Sequence, residues 1–114
     1  MPPTAEDRLT DILIAIERIE RATRGMDDAK FLEDDIAQGA TERFLGIACE
    51  ASLRLPEEMK RQAPHINWRE MNNFANLMRH AYRSVDAGRV WKIIQNDIPP
   101  LKAFVERCVR EGKK

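Results

Sequence analysis

The chain has 114 residues, of which 43% are hydrophobic and 33% are charged, and its 19 basic residues balance 19 acidic ones. This length fits a single domain over residues 1–114, and apolar residues that recur along the chain exclude a disordered protein. A formal net charge of zero argues against nucleic-acid binding driven by overall charge, although it permits local basic patches and favours self-association.

The first helix is predicted over about residues 5–24. Its apolar residues recur at helical spacing and form one stripe for burial, made of Leu9, Ile12, Leu13, Ile16 and Ile19. Gly25 follows at the position where a helix C-terminus favours glycine. The N-terminal segment lacks the apolar core of a signal peptide, and no apolar run approaches a membrane span. We therefore expect a cytoplasmic protein with no membrane segment.

A second helix is predicted to begin at Asp27 or Asp28, either of which suits an N-cap, and to run to Leu55 with a weak point at Gly39. Its apolar residues, which are expected to be buried, are Phe31, Ile36, Ala40, Phe44, Ile47, Ala48, Ala51 and Leu55.

Glu50 is a charged residue within this apolar run. Because a carboxylate is seldom buried without a partner, Glu50 is expected either to pair with an arginine or cap a backbone, or to line a site.

The remaining sequence predicts a short helix from Pro56 to a stop at Pro64, and a longer helix over about residues 68–82. Asn67 and Glu70 resemble a capping box at the start of the longer helix. After a break capped by Ser84 or Asp86, further helical sequence bends or restarts at Pro99–Pro100. Strand-like alternation is absent from the sequence. The fold class is predicted to be all-α, an antiparallel bundle of four to five helices.

Within the helix predicted over 68–82, the core-facing stripe is expected to contain Met71, Phe74, Met78, Ala81 and Val85. Asn73, Asn76 and His80 then project from one flank, and Ala75, Arg79 and Tyr82 from the other. Asn76 and His80 are four residues apart, so the amide could orient the imidazole for acid–base chemistry. The same pattern is also typical of the solvated face of a bundle helix. Arg79 and Arg83, with Lys92, are candidate phosphate contacts.

Other residue types point to structure more than to chemistry. Cys49 and Cys108 form no C-x-x-C pair and are expected to be small, buried or half-buried thiols. The two histidines, His65 and His80, are fifteen residues apart in sequence, so a metal site is not expected. No cofactor is expected either. Two tryptophans are expected to be core or interface anchors: Trp68 and Trp91.

Six segments in fixed order resemble the HepT-like branch of the HEPN superfamily over about residues 9–105. They are DILIAIERIE, TRGMD followed by F-x-x-D, ACEASLRLPEE, PHINW, N-x-x-x-H-x-Y-x-x-V-D and VWKIIQNDIPPLKAF. The resemblance implies an all-α homodimer and the ribonuclease toxin of a toxin–antitoxin pair. It also implies a nucleotidyltransferase antitoxin of the MNT type as partner.

The family signature is R-x-x-x-x-H-x-Y, commonly with Asn after the Arg. On this chain the Asn is Asn76, the His is His80 and the Tyr is Tyr82, whereas the Arg position holds Ala75. The resemblance implies metal-independent cleavage of RNA with His80 as the acid–base group. It also implies that Tyr82 is the residue that can receive AMP from the partner.

Ala75 puts the catalytic part of this assignment in question, because alanine cannot bind a phosphate. Three accounts are open: a substitution made to silence a toxic enzyme, a naturally degraded member, or replacement of the missing group by Arg79. We favour the first two, since Arg79 is anchored one helical turn away, about 6 Å along the axis. A hypothesis of another class is a non-catalytic interaction protein that binds the nucleotidyltransferase or a nucleotide.

Overall fold

The computed structural model describes residues 2–80 and 85–112, and within these ranges the chain forms seven α-helices and no strand. The four longest helices form the bundle and the others connect them. The helices are α1 (Ala5–Ala22), α2 (Asp28–Glu33), α3 (Asp35–Leu53), α4 (Glu57–Arg61), α5 (Trp68–His80), α6 (Ala87–Asn96) and α7 (Ile98–Gly112). The predicted all-α bundle is confirmed.

Helix α1 begins and ends as the sequence indicates. The Thr4 hydroxyl accepts the backbone N–H of Asp7 at 3.1 Å, and the Asp7 carboxylate accepts that of Thr4 at 2.8 Å, which completes a capping box. Gly25 has φ 76°, a left-handed conformation that glycine adopts without a steric penalty. The predicted stripe is confirmed, with Leu13 half-buried and the others buried: Leu9, Ile12, Ile16 and Ile19.

The predicted N-cap at Asp27 is present, but the prediction of one continuous helix from there to Leu55 is wrong, because the chain breaks at Asp34. The backbone of Asp34 is extended, and its carboxylate accepts the N–H of Ala37 at 3.0 Å, so it caps a new helix, α3. Gly39, the predicted weak point, lies inside α3.

In the first turn of α3, after the new start at Asp34, Ala37 faces the core and Ile36 faces solvent. Ile36 is 79% exposed, and the prediction that it is buried is wrong. Ile47 is also exposed, because its face of α3 borders a groove rather than the core. The other predicted positions are buried or half-buried: Phe31, Ala40, Phe44, Ala48, Ala51 and Leu55.

Helix α3 lies between α1 and α5 and packs against both. The Arg18 guanidinium of α1 lies 5.7 Å from the Phe44 ring centre, whereas Asp11, earlier in α1, shares a groove with Glu50, later in α3. The two helices are therefore antiparallel. Helix α7 returns along α1, where the Lys102 ammonium lies 2.8 Å from the Glu20 carboxylate.

Both tryptophans are packing anchors, as predicted: Trp91 joins two of the connecting helices, and Trp68 joins two helices of the bundle. The Trp91 ring of α6 lies 5.1 Å from the Phe31 ring of α2. Trp68 meets Phe104 of α7 edge to face at 5.9 Å, and its indole N–H donates to the Ala63 carbonyl at 3.0 Å. Such aromatic pairs contribute about 0.5–1.5 kcal/mol beyond the area they bury.

Several predicted boundaries coincide with the observed ones. Pro56 is the N-cap of α4, and Pro99 and Pro100 lie in the first turn of α7. The Asp86 carboxylate accepts the Gly88 N–H at 2.9 Å and caps α6, whereas the alternative cap, Ser84, lies outside the described residues. In the described ranges, none of the helices combines the length and the apolar character that crossing a bilayer requires.

The Thr41 side chain is fully buried in α3, and among the described residues its hydroxyl has no hydrogen-bond partner. Thr41→Val removes that hydroxyl and keeps a β-branched shape. We expect it to raise the free energy of unfolding by about 1 kcal/mol, because an unpaired buried hydroxyl is destabilising. Urea denaturation measures the change.

Ser52→Ala is the matched control. Ser52 is equally buried, but its hydroxyl donates to the Ala48 carbonyl at 2.8 Å, so its loss should lower the free energy of unfolding by about 1 kcal/mol. If Thr41→Val and Ser52→Ala lowered the free energy of unfolding equally, the conclusion that the Thr41 hydroxyl lacks a hydrogen-bond partner would be contradicted.

Candidate functional site

Helix α5 carries the predicted signature, and a cap and an ion pair fix its start. The Asn67 side chain accepts the backbone N–H of Glu70 at 3.1 Å. The Glu70 carboxylate pairs instead with the Arg89 guanidinium of α6 at 2.9 Å. Half of the predicted capping box is therefore present, and the carboxylate expected to complete it joins α5 to α6.

The polar flank of α5 faces solvent. Asn73, Asn76 and His80 are all exposed. Within the described ranges, no hydrogen bond joins the Asn76 amide to the His80 imidazole. The opposite side carries the core stripe, in which Met71 and Phe74 are fully buried and Met78 and Val85 are half-buried, while Ala81 lies outside the described residues.

Ala75 is buried, with 2% of its surface exposed, and it faces α3. It lines an open groove of about 630 Å³ between α1, α3 and α5, called here the Ala75 groove. A methyl group added to Gly46 of α3 would lie 3.8 Å from the Met78 side chain, so α3 and α5 are close here. The wall residues are small or apolar: Gly46, Ile47, Ala51, Ala75 and Met78. A long side chain at position 75 would therefore extend along the groove.

Glu50 lies at the groove wall and binds two arginines. One carboxylate oxygen is 3.1 Å from the Arg79 guanidinium of α5, and the other is 3.0 Å from Arg54, one turn further along α3. The Glu50 side chain is 35% exposed, so each pair contributes little to stability, about 0–1 kcal/mol. The predicted pairing of Glu50 with an arginine is confirmed, and the Arg79 guanidinium is held at the groove by that pair.

The sequence pattern missed three charged residues of the Ala75 groove: Arg8 and Asp11 of α1, and Arg43 of α3. Arg8 and Asp11 are three residues apart and share a helix face, which is the one signal that groups them. Arg43 is more than thirty residues away in sequence, so only the packing of α1 on α3 reveals its place. Within the described ranges, none of the three forms an ion pair.

Two of the three residues predicted to contact phosphate line different grooves. Arg79 lines the Ala75 groove, whereas Lys92 lines a different groove with Asp97 between α5 and α6. Arg83 and Tyr82 lie outside the described residues. In the described ranges, no three His, Cys, Asp or Glu side chains are grouped as a metal site would require.

Neither thiol is suited to nucleophilic chemistry. Cys49 is fully buried beside Glu50, and burial raises the pKa of its thiol to about 12, with the carboxylates of Glu70, Asp97 and Glu50 adding to the rise. Burial also raises the pKa of the half-buried Cys108 thiol. Both cysteines are free thiols, as predicted, and both stay protonated at neutral pH.

The family model described as Ribonuclease HepT-like matches residues 12–108. A protein of Thermococcus cleftensis named "Probable ribonuclease HepT" is 42% identical over 107 residues, which cover 94% of this chain and 97% of that protein. A protein of Methanocaldococcus jannaschii named "Putative RNase" is 31% identical over 98 residues, covering 86% of this chain and 90% of that protein.

A longer relative from the same organism is named "Gamma-glutamylcyclotransferase and putative RNase". It is 32% identical over 106 residues, and this chain spans 48% of its length. No solved structure gives a significant match to the chain.

The raised thiol pKa leads to a prediction about reactivity. Below about pH 9 the folded protein should hide Cys49 from a disulfide reagent, because the thiol is inaccessible and its thiolate is disfavoured. We expect the reagent to label Cys108 in the folded protein. It should label Cys49 more slowly, at the rate at which the protein unfolds. Absorbance of the released thiolate measures both rates.

Cys108→Ser is the control, because it should remove the faster reaction and leave the slow one. Rapid labelling of Cys49 in the folded Cys108→Ser protein would contradict the described burial.

Proposed function

The chain belongs to the HepT-like ribonuclease family, and from that membership we propose that it has the scaffold of a toxin endoribonuclease whose activity is weakened by Ala75. The observation that carries the proposal is one helix, α5, which presents His80 to solvent and Ala75 to the adjoining groove. The proposed substrate is RNA, and the proposed place of action is the cytoplasm.

The proposed reaction is transfer of a phosphodiester within the RNA strand. The 2′-oxygen forms a bond to phosphorus, the bond from phosphorus to the 5′-oxygen breaks, and a cyclic phosphate and a 5′-hydroxyl result. His80 of one copy accepts the proton of the 2′-hydroxyl, and His80 of a second copy protonates the leaving oxygen. Two motif helices would meet across a homodimer to form one cleft, with Asn76 beside each histidine.

The missing group in this reaction is a cation at the scissile phosphate. An arginine at position 75 would bind the phosphate through its planar fork of donors and stabilise the charge of the transition state. Arg79, on the same face of α5, is a poor replacement because its guanidinium is already paired with Glu50 at 3.1 Å. This pairing supports a weakened enzyme over one in which Arg79 compensates. Arg83 stays a proposed phosphate contact.

The proposed partner is an MNT-type nucleotidyltransferase that acts as the antitoxin. In this proposal it transfers AMP to the Tyr82 hydroxyl, which blocks the RNA site with bulk and negative charge. The second candidate function is a protein that binds this partner or a nucleotide and cleaves nothing. The loss of a free cation at position 75 favours that candidate, so a restored arginine separates the two.

Ala75→Arg should restore cleavage of RNA, raising the rate by about 10²–10³-fold, because a positioned charge then meets the developing anion. The groove beside Ala75 gives the new side chain room. A fluorescent single-stranded RNA followed by gel electrophoresis measures the rate, and growth arrest on expression gives a second readout.

Ala75→Gln is the control for a polar side chain without charge, and it should stay as slow as the unmodified protein. Adding His80→Ala to the Ala75→Arg form should abolish cleavage. A folded Ala75→Arg protein that leaves RNA intact would refute the toxin proposal and favour the non-catalytic binding protein.

The proposed cleft requires two copies of the chain. Light scattering at micromolar concentration should give twice the mass of the 13.2 kDa chain. The zero net charge and the exposed side chain of Ile14 are compatible with self-association. A monomer under these conditions would remove the two-histidine reaction.

A further inference from the structure

We propose that the Ala75 groove is a binding path for the phosphates of single-stranded RNA, and that Arg8 and Arg43 are its principal contacts. This inference rests on the proposed function for the identity of the strand. It assigns RNA binding to α1 and α3, two helices outside the signature helix α5.

Free charge distinguishes these two arginines from their neighbours. Arg79 and Arg54 share the Glu50 carboxylate at 3.1 Å and 3.0 Å. Among the described residues, Arg8 and Arg43 form no ion pair, although both line the groove. A guanidinium without an acidic partner binds a phosphate without first losing an existing pair.

The groove matches a strand better than one isolated anion. Arg43 and Glu50 are seven residues apart on α3, about 10 Å along the helix axis. Because α1 is antiparallel to α3 and its Arg18 lies over Phe44, Arg8, ten residues earlier in α1, falls toward the later part of α3. The two free cations therefore lie at different places along the groove, where they would contact separate phosphates of one strand. Between them, Ile47 and Met78 provide an apolar wall for ribose and base faces.

The arrangement also indicates the kind of binding. The described residues that line the groove offer guanidinium groups for phosphates and small or aliphatic walls for riboses, and neither contact depends on the identity of the base. Charge supplies most of the affinity, and binding should weaken steeply with salt. Asp11 opposes this binding, because it lines the same groove and, among the described residues, has no cationic partner.

The test uses the full chain and a short single-stranded 2′-O-methyl RNA, which lacks the attacking hydroxyl and cannot be cleaved. Fluorescence anisotropy gives Kd between about 50 and 200 mM salt. The double variant Arg8→Gln, Arg43→Gln should weaken binding on the order of tenfold at low salt and reduce the salt slope by about 1.4, the value for two lost phosphate contacts on a single strand. Asp11→Asn should tighten binding.

The control double variant, Arg21→Gln with Arg61→Gln, removes the same charge from exposed positions outside the groove. It should change Kd less than twofold. Equal losses in the two double variants would overturn the inference, as would an Asp11→Asn protein that binds RNA no more tightly. Light scattering on each variant checks the assembly state. Loss of RNA binding accompanied by a change in mass would identify the groove as a contact between copies and also overturn the inference.

The two proposals fail in different ways. If Ala75→Arg restores cleavage but the Arg8→Gln, Arg43→Gln variant binds RNA with an unchanged Kd, the binding path is wrong and the ribonuclease proposal stands. If the groove variants behave as expected while Ala75→Arg cleaves nothing, the path stands and the catalytic proposal is wrong. An unmodified chain that binds no RNA at low salt would overturn the binding path.

Discussion

The packing of α3 between α1 and α5 is the constraint on which the candidate site depends. Fully buried Leu45, Ala48 and Cys49 hold α3 in the core, so the neighbouring face of the helix must border its partners. On that face, the small residues Gly46 and Ala51 line the Ala75 groove and leave it open beside α5. A larger side chain at either position would fill the space in which an arginine at position 75 is expected to act.

The arginines near the groove are of two kinds: those paired with Glu50, and those without an ion pair among the described residues. Glu50 pairs with both Arg79 and Arg54, so one negative charge is shared between two positive ones, and each guanidinium would give up part of that contact on binding a phosphate. Arg8 and Arg43 are the cations that the described structure leaves available. Binding and catalysis would therefore depend on different residues, so a chain that has lost the arginine for catalysis can keep those for binding.

Much of the fold could be predicted from the sequence, because local rules determine it. The α1 stripe, Gly25 and the Asn67 cap follow from spacing and terminus preferences, and the structure has all three. The break at Asp34 was missed, although aspartate is a favoured N-cap, because the apolar pattern continues through it. Ile36 and Ile47 fit a helical stripe and yet are exposed, since the turn at Asp34 and the neighbouring helices decide which face is covered.

The candidate site was less predictable. Exposure of Asn76 and His80 follows from the helical geometry of α5, and pairing of Glu50 with an arginine follows from the cost of burying a carboxylate. Spacing alone does not show that Ala75 is buried against α3, nor that Arg8 and Arg43 reach one groove from different helices. Those features depend on the packing of helices that are distant in sequence.

The central claim is that this chain retains the binding surface of a ribonuclease and lacks the charge at position 75 that accelerates the reaction. The most direct measurement compares the RNA dissociation constant and the single-turnover cleavage rate, on one strand, for the unmodified and Ala75→Arg proteins. The account predicts dissociation constants within a few-fold of each other and cleavage rates that differ by about 10²–10³-fold. Equal rates at full saturation would contradict it.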